Sequence, residues 1–194
     1  MKPCNTMKIA VVLSMLALFC SSASAQGNLV VNGGFDTDAS GWSITNINPY
    51  GFGGGYRSDF GNPAGSVSLY NDNTSANAPT ASQEIDSLTP GTTYIISGDY
   101  WSGGLMGSNS LSVALDGITL FEEDVPVSSA WNTFSFDYTA TSTSALLSLY
   151  TTTFGKAYGS YIDNIAMYAT PEPSPSWLLF LGSGILFYVR NRKR

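Results

Sequence analysis

The sequence of 194 residues has no histidine, and its two cysteines, Cys4 and Cys20, both lie at the N-terminus. The absence of histidine excludes His-dependent triads, His-ligated zinc and most general-base chemistry. An N-terminal signal, described below, would remove both cysteines on export. The remaining chain would then have no disulfide and no thiol nucleophile, so core packing must hold it together, with or without a metal ion.

Cations are also scarce between residues 26 and 170. Arg57 and Lys156 are the only two, against thirteen carboxylates, which gives this segment a net charge of −11. Such a charge repels nucleic acid and anionic membrane surfaces. Metal cations and neutral ligands remain as partners, and we expect no nucleic acid.

The same segment has no sustained helical stripe of apolar residues. Apolar residues instead alternate in short runs separated by Gly, Ser, Thr, Asn, Asp and Pro. The pattern predicts one all-β domain over residues 26–170, and the run lengths favour a two-sheet β-sandwich over a propeller or repeat array. The predicted strands cover residues 28–33, 66–70, 81–85, 93–101, 110–115, 133–139, 145–150 and 161–168.

Turn signals and alternation add detail to these strands. Turns are predicted at Pro90-Gly91 and Asp116-Gly117, and the acidic run 122–124 is interpreted as a solvated turn. A change of parity at Asp163-Asn164 predicts a bulge or irregular turn in the last strand. Alternation predicts these core residues: Tyr94, Ile96, Tyr100, Leu111, Val113, Leu115, Phe134, Phe136 and Tyr138.

Both termini carry targeting patterns. Lysines at positions 2 and 8, an apolar run over residues 9–19 and small residues at 23–25 predict a signal peptide over residues 1–25. Lipidation at Cys20 is the alternative, which the bulky Phe19 before it disfavours. At the other end, residues 177–189 are uncharged and short for a transmembrane helix, and a basic tail follows at 190–194.

The last 24 residues resemble the PEP-CTERM sorting signal of Gram-negative bacteria. The Pro-Glu-Pro triplet (Pro171, Glu172 and Pro173), the short apolar helix and the terminal basic cluster occur in the order of that signal. The resemblance implies that exosortase, a membrane transpeptidase-like enzyme, recognises the triplet. It also implies export through the inner membrane, transient anchoring there, and a final location at the cell surface or in the extracellular matrix.

The body of the chain resembles the galactose-binding-like jelly rolls of carbohydrate-binding modules. "NLVVNGGFD", "SQEIDSLTPGTTYIISGDYW", "SLSVALDGITLF", "WNTFSFDYTATSTSALLSLY" and "YIDNIAMY" occur in that order. The resemblance implies a jelly-roll β-sandwich with a structural calcium near the first and last strands. Matching residues place its ligands at Asp36 and Asp163, with Asn164 nearby; the alternative is that both aspartates only satisfy turns.

A sugar site needs aromatic faces and a few polar groups in one concave patch. Alternation sends Asp99 and Trp101 to the face opposite Tyr100, and packing under a loop is the alternative for the tryptophan. A glycine-rich loop supplies a second candidate set, with loop packing again the alternative: Tyr50, Phe52, Tyr56 and Arg57. Trp42 and Trp131 are assigned to the core.

These patterns lead to three hypotheses. The first is a non-catalytic exported protein that binds extracellular polysaccharide, which the sorting-signal resemblance connects with exopolysaccharide or biofilm matrix. The second is a structural or adhesive surface protein with no sugar specificity. The third is a glycosidase with a carboxylate pair, which the small size of the chain and the absence of a matching motif disfavour.

Overall fold

The computed structural model describes residues 27–47, 54–71, 78–102, 109–125, 130–151 and 158–171. Residues Gln26–Thr170 form one compact unit. The predicted signal peptide, the apolar segment 177–189, Glu172, Pro173, Tyr50 and Phe52 lie outside the described residues. No helix among the described residues has the length and hydropathy needed to cross a membrane.

The described part of the chain contains ten strands. In chain order they are β1 (Ser43–Thr45), β2 (Gly55–Arg57), β3 (Ser66–Asn71), β4 (Thr80–Ile85), β5 (Thr93–Ser102), β6 (Asn109–Leu115), β7 (Ile118–Val125), β8 (Asn132–Thr139), β9 (Ala145–Tyr150) and β10 (Tyr158–Ala169). They form two antiparallel sheets: sheet A, in the order β1-β4-β9-β6-β7, and sheet B, in the order β2-β3-β10-β5-β8. The predicted all-β sandwich is confirmed, and its two antiparallel sheets are consistent with a jelly roll.

The core lies between the inner faces of the two sheets, because alternate residues of each strand point inward. Tyr94 and Ile96 on β5 and Leu111, Val113 and Leu115 on β6 are fully or almost fully buried, as alternation predicted. Tyr100 and Phe134 are buried too. Phe136 and Tyr138 pack against this core but are only half-buried. They fall short of the prediction because β8 is an edge strand, with one side open to solvent.

The strand predicted over residues 28–33 is absent, and a turn takes its place. The Leu29 N–H donates to the Met167 carbonyl at 2.9 Å, and side chains supply further hydrogen bonds that a strand partner would otherwise supply. The Asn28 Oδ1 atom accepts from the backbone N–H groups of Val30 (3.1 Å) and Met167 (2.9 Å), and the Gln83 Oε1 atom accepts from that of Val31 (2.8 Å). Asn32 adopts a positive φ of 50°, which no extended strand permits.

Three strands were not predicted: β1, β2 and β7. The acidic run 122–124 belongs to β7 and is not a turn, so that interpretation was wrong. β7 is the second arm of the hairpin whose turn was predicted at Asp116-Gly117, where the φ values of 48° and 77° confirm a primed turn. The turn at Pro90-Gly91 is also present, closed by the Thr92 N–H donating to the Thr89 carbonyl at 3.0 Å.

Candidate functional site

The predicted bulge in the last strand is present on β10. Its pairing with β5 slips between Asp163 and Ala166, and Asn164 adopts a φ of 52°. Regular pairing before the shift places Asp163 on the outer face of sheet B, directly opposite Asp99 of β5. The bulge brings the Asn164 side chain to the same face, where it binds Asp99. Asp163 is fully buried although it lies on an outer face.

The cover over Asp163 comes from the loop between β2 and β3. The backbone N–H of Asn62 donates to Asp163 Oδ2 at 2.6 Å, and that of Asn164 donates to Asp163 Oδ1 at 2.7 Å. Two side-chain amides bind Asp99 Oδ2: Asn62 Nδ2 at 3.0 Å and Asn164 Nδ2 at 2.8 Å. Asn164 Nδ2 also donates to the Asn62 carbonyl at 2.6 Å. We call these four residues, Asn62, Asp99, Asp163 and Asn164, the polar network.

The electrostatics of the network centre on Asp163. Burial raises the pKa of its carboxyl to about 6, against the lowering effect of the two N–H groups that bind it, and the neighbouring Asp99 and Asp36 charges raise it further. Among the described residues, one ion pair is seen, between Arg57 and Asp59. No described lysine or arginine therefore forms an ion pair with the Asp163 carboxylate. A cation at this place would relieve the crowding of carboxylates.

Of the residues assigned to calcium, Asp36 and Asn164 come together at Gly34, while Asp163 adjoins Asn164 and feels the charge of Asp36. A Cβ atom on Gly34 would lie 3.7 Å from Asp36 Oδ2, 3.8 Å from Asp36 Oδ1 and 3.8 Å from Asn164 Oδ1, so three oxygens face the space a side chain would fill. In the described part of the chain no three acidic, histidine or cysteine side chains form a metal-binding group. The oxygen donors nevertheless suit a hard cation that takes amide and backbone oxygens beside carboxylates.

A cluster of rings lies beside the polar network on the same face. Phe60, from the loop, is 4.8 Å from Trp101, 5.5 Å from Trp131 and 4.7 Å from Tyr161, measured between ring centroids. Trp101 and Tyr161 are 5.5 Å apart. All four rings are half-buried, so each retains some exposed surface. We call Phe60, Trp101, Trp131 and Tyr161 the aromatic cluster.

The structure brings some of the predicted sugar-site residues together and separates others. Asp99 and Trp101 share the outer face of sheet B, as alternation predicted. Arg57 lies on that face, where its guanidinium binds Asp59 at 2.9 Å. That hydrogen bond raises the Arg57 pKa, and proximity to Tyr161 adds a smaller rise. Tyr56 has the opposite parity and packs against the core.

The two tryptophans assigned to the core have different environments. Trp42 packs against the core and its ring lies 5.3 Å from that of Phe35. Trp131 belongs to the aromatic cluster instead, because it precedes β8 at outward parity; Asn132, the next residue, pairs with the inward-facing Tyr100. The core assignment of Trp131 was therefore wrong.

The sequence analysis did not single out Phe60, Asn62 or Tyr161. Tyr161 shares the parity of Asp163 in the segment before the bulge, and that signal could have identified it. Phe60 and Asn62 lie in a loop, where side-chain direction has no period, so no local pattern identifies them.

Comparisons with known proteins identify a family and similar folds. The family model described as "Carbohydrate binding domain" matches residues 27–155. No curated protein matches the chain. Similar solved structures include the xylan-binding CBM22-1 domain of Paenibacillus barcinonensis Xyn10C, with 15% identity and a TM-score of 0.56, covering 78% of this chain and 100% of that one.

Two larger proteins contain a similar fold. The CBM22-1 and GH10 modules of Clostridium thermocellum xylanase 10B, complexed with xylohexaose, show 18% identity and a TM-score of 0.58 over 76% of this chain. The enzymatically active domain of bacteriophage CBA120 tailspike protein 4 shows 16% identity and a TM-score of 0.52 over 74% of this chain. The match spans only 29% and 21% of those two chains. At such identities these structures share the fold, and the family match gives the membership: the chain belongs to the carbohydrate binding domain family.

Proposed function

We propose that this chain is an exported, non-catalytic protein that binds extracellular polysaccharide on the outer face of sheet B. The observation that carries the proposal is the aromatic cluster, four half-buried rings beside a hydrogen-bonded network of carboxylates and amides. Sugar rings pack their apolar C–H faces on aromatic rings and bind through their hydroxyls to polar groups. Family membership supports a carbohydrate as ligand.

Each part of the face has a distinct role in this proposal. Trp101 and Tyr161 offer ring surface, and Asp99, half-buried beside them, offers a carboxylate that accepts hydrogen bonds from hydroxyls. The two amides that bind Asp99 Oδ2 fix the direction of this carboxylate. A ligand therefore meets an oriented acceptor next to a ring, which favours one arrangement of the sugar over others.

We propose binding without turnover. A glycosidase needs one carboxyl in contact with the glycosidic oxygen and a second one across the sugar ring. Asp99 and Asp163 face each other, but Asp163 is fully buried beneath the loop and both its oxygens accept backbone hydrogen bonds. This arrangement supports a structural carboxylate that the substrate does not reach.

We also propose that Asp36, Asp163 and Asn164 hold a calcium ion that stabilises the domain, on the strength of the three oxygens facing Gly34 and the crowded carboxylates. When bound, the ion would supply positive charge at carboxylates that form no ion pair within the described ranges. The turn at 31–36 also contacts the bulge of β10 directly, because the Ile165 N–H donates to the Gly33 carbonyl at 2.9 Å.

For the C-terminus we propose processing by exosortase at Pro171, Glu172 and Pro173, after transient anchoring in the inner membrane. The sequence features of residues 171–194 support it, together with the exposure of Pro171 two residues after the end of the last strand. The product would lie at the cell surface or in the matrix. Replacing Glu172 with Ala in the native host should leave the protein in the membrane fraction; normal release would contradict the sorting proposal.

The experiment that tests binding is affinity electrophoresis through gels that contain neutral or acidic polysaccharides, xylan among them. We expect at least one polysaccharide to retard the protein and Trp101→Ala to migrate freely. Tyr150→Ala, on the outer face of sheet A, is the matched control and should be retarded like the natural protein. Free migration in every gel would favour the structural or adhesive alternative. Loss of retardation in the Tyr150 variant alone would place the ligand on sheet A.

A further inference from the structure

The loop of residues 58–65 does not extend away from the sandwich; it folds back over the outer face of its own sheet. It leaves β2 and returns to β3, at one side of sheet B, yet Phe60 reaches rings on β10, β5 and the residue before β8. One loop side chain thus contacts all three of the other members of the aromatic cluster. Its position determines which ring surfaces remain open.

The loop is attached to the sheet mainly through Asn62. Its backbone N–H binds Asp163, its side-chain amide binds Asp99, and its carbonyl accepts from Asn164. The other attachment lies at the foot of the loop, where Ser66 Oγ donates to the Phe60 carbonyl at 2.6 Å. Because Phe60 lies between these two points, it has little freedom to leave the rings while both remain.

The rest of the loop provides no large apolar anchor. Asn62, Pro63 and Ala64 are exposed, and the ends of the loop meet so closely that a Cβ atom on Gly61 would lie 2.1 Å from the Gly65 carbonyl oxygen. Gly65 lies against the Phe35 carbonyl, because a Cβ atom on Gly65 would be 2.1 Å from that carbonyl oxygen. The glycines let the loop lie flat, and the hydrogen bonds of Asn62 determine where it lies.

From this arrangement we infer that Asn62 and Asp163 are positioning residues for the aromatic cluster: they hold Phe60 between Trp101, Trp131 and Tyr161. Asp163, being fully buried beneath the loop, acts on the cluster through the Asn62 N–H and does not contact the sugar. The consequence for affinity rests on the proposed function, whereas the consequence for ring geometry does not. The two can therefore fail separately.

The test compares near-ultraviolet circular dichroism of the full chain in mild detergent with that of four variants. Phe60→Leu removes the central ring and defines the spectral change that its loss causes. Asn62→Ala removes the bond to Asp99 and keeps the two backbone bonds, so it should reproduce part of that change with the same sign. Asp163→Asn replaces one of the two acceptor oxygens of the carboxylate and should do so as a second route. Asn46→Ala is the matched control, because its amide also donates to a loop carbonyl, that of Ala78, at a distance from the cluster in sequence and sheet.

Each outcome decides the inference. If Asn62→Ala and Asp163→Asn keep the natural spectrum, the positioning role is overturned, even where their unfolding midpoints fall. If either variant fails to fold, the other one decides. Should the natural protein bind a polysaccharide, Asn62→Ala should weaken it about tenfold, a loss typical of one charge-linked hydrogen bond, with Asn46→Ala unchanged. Should it bind none, the proposed function fails while the spectra still test the positioning.

Discussion

The outer faces of sheet A and sheet B are built on the same strand spacing but carry different side chains. One row across sheet A consists of Ser43, Ser82, Ser148, Ala114 and Thr119, which pair in that order over five strands. The corresponding face of sheet B carries Tyr161 and Trp101 in paired positions, with Asp163 and Asp99 in the next outward row. This row of sheet A presents small side chains, most of them hydroxyls, whereas the two paired rows of sheet B present rings and acids.

The two faces also differ in what lies above the strands. On sheet A a strand residue provides the cover: the ring of Tyr150 on β9 extends across β6, and its hydroxyl meets Thr119 Oγ1 on β7 at 2.9 Å. On sheet B the cover comes from outside the sheet, from the loop that carries Phe60 and Asn62. A sheet face thus gains a buried polar network when a loop folds over it and a bulge redirects side chains toward the loop.

The largest effect we expect comes from crowding that loop. Gly65→Ala would place a Cβ atom 2.1 Å from the Phe35 carbonyl oxygen at a φ of 89°, so both backbone strain and a clash result. Gly117→Ala, in the turn of sheet A, meets nothing within 4 Å at a φ of 77°. We expect roughly 3 kcal/mol or more of destabilisation for the first and about 1 kcal/mol for the second. Equal losses in the free energy of unfolding, measured in urea, would show that the loop moves aside for the new Cβ atom with no energetic penalty.

The second-largest effect should come from removing calcium. A cation bound by Asp36, Asp163 and Asn164 stabilises the folded state by about 2.7 kcal/mol when its concentration is 100 times the dissociation constant. We expect chelator to remove that gain from the natural protein, and Asp36→Asn to have much less of it to lose. Glu84→Gln, on the outer face of sheet A, is the control and should respond to calcium like the natural protein. An unfolding midpoint indifferent to calcium would contradict the metal proposal.

Much of this architecture follows from alternation alone, for identifiable reasons. Strands β5, β6 and β9 contain period-two runs because their inner residues are buried between two sheets, and their predicted bounds lie within one residue of those observed. The bulge was predictable because Ile162 and Ile165 both point inward with opposite parity, which requires one extra residue between them. Burial of one face of a regular strand thus produces an alternation of apolar and polar residues that the sequence alone reveals.

The candidate site was less predictable because its geometry depends on contacts distant in sequence. Asn62 and Asp163 are 101 positions apart, and neither residue's neighbours indicate that they meet. The turn at 28–33 was mistaken for a strand because its apolar Leu29, Val30 and Val31 resemble one, whereas side chains of Asn28 and Gln83 satisfy its backbone. Short strands such as β1 and β2 are too brief for alternation to be seen.

The titration of Asp163 gives a third distinction, because sheet A carries no comparable buried carboxyl among the described residues. Burial raises the Asp163 pKa from 3.8 to about 6, so the folded state holds the proton more tightly than the unfolded chain. In the presence of chelator, the stabilisation that comes from protonating Asp163 is complete below pH 3.8 and is lost as the pH rises through about 6. We expect the natural protein to lose about 2 kcal/mol more than Asp163→Asn between about pH 4 and 7. Parallel pH profiles would mean that the carboxyl is ionised throughout.

The smallest effect should come from the cover on sheet A. Tyr150→Phe keeps the ring across β6 and removes only the exposed hydrogen bond to Thr119, so the free energy of unfolding should fall by about 0.5 kcal/mol. Thr119→Val removes the same bond from the other partner, and the double variant should lose little more than either single one. Polysaccharide retardation should be unchanged in all three. A loss of retardation here would mean that the serine-rich face binds the ligand, and that the aromatic cluster on sheet B serves to hold its loop in place.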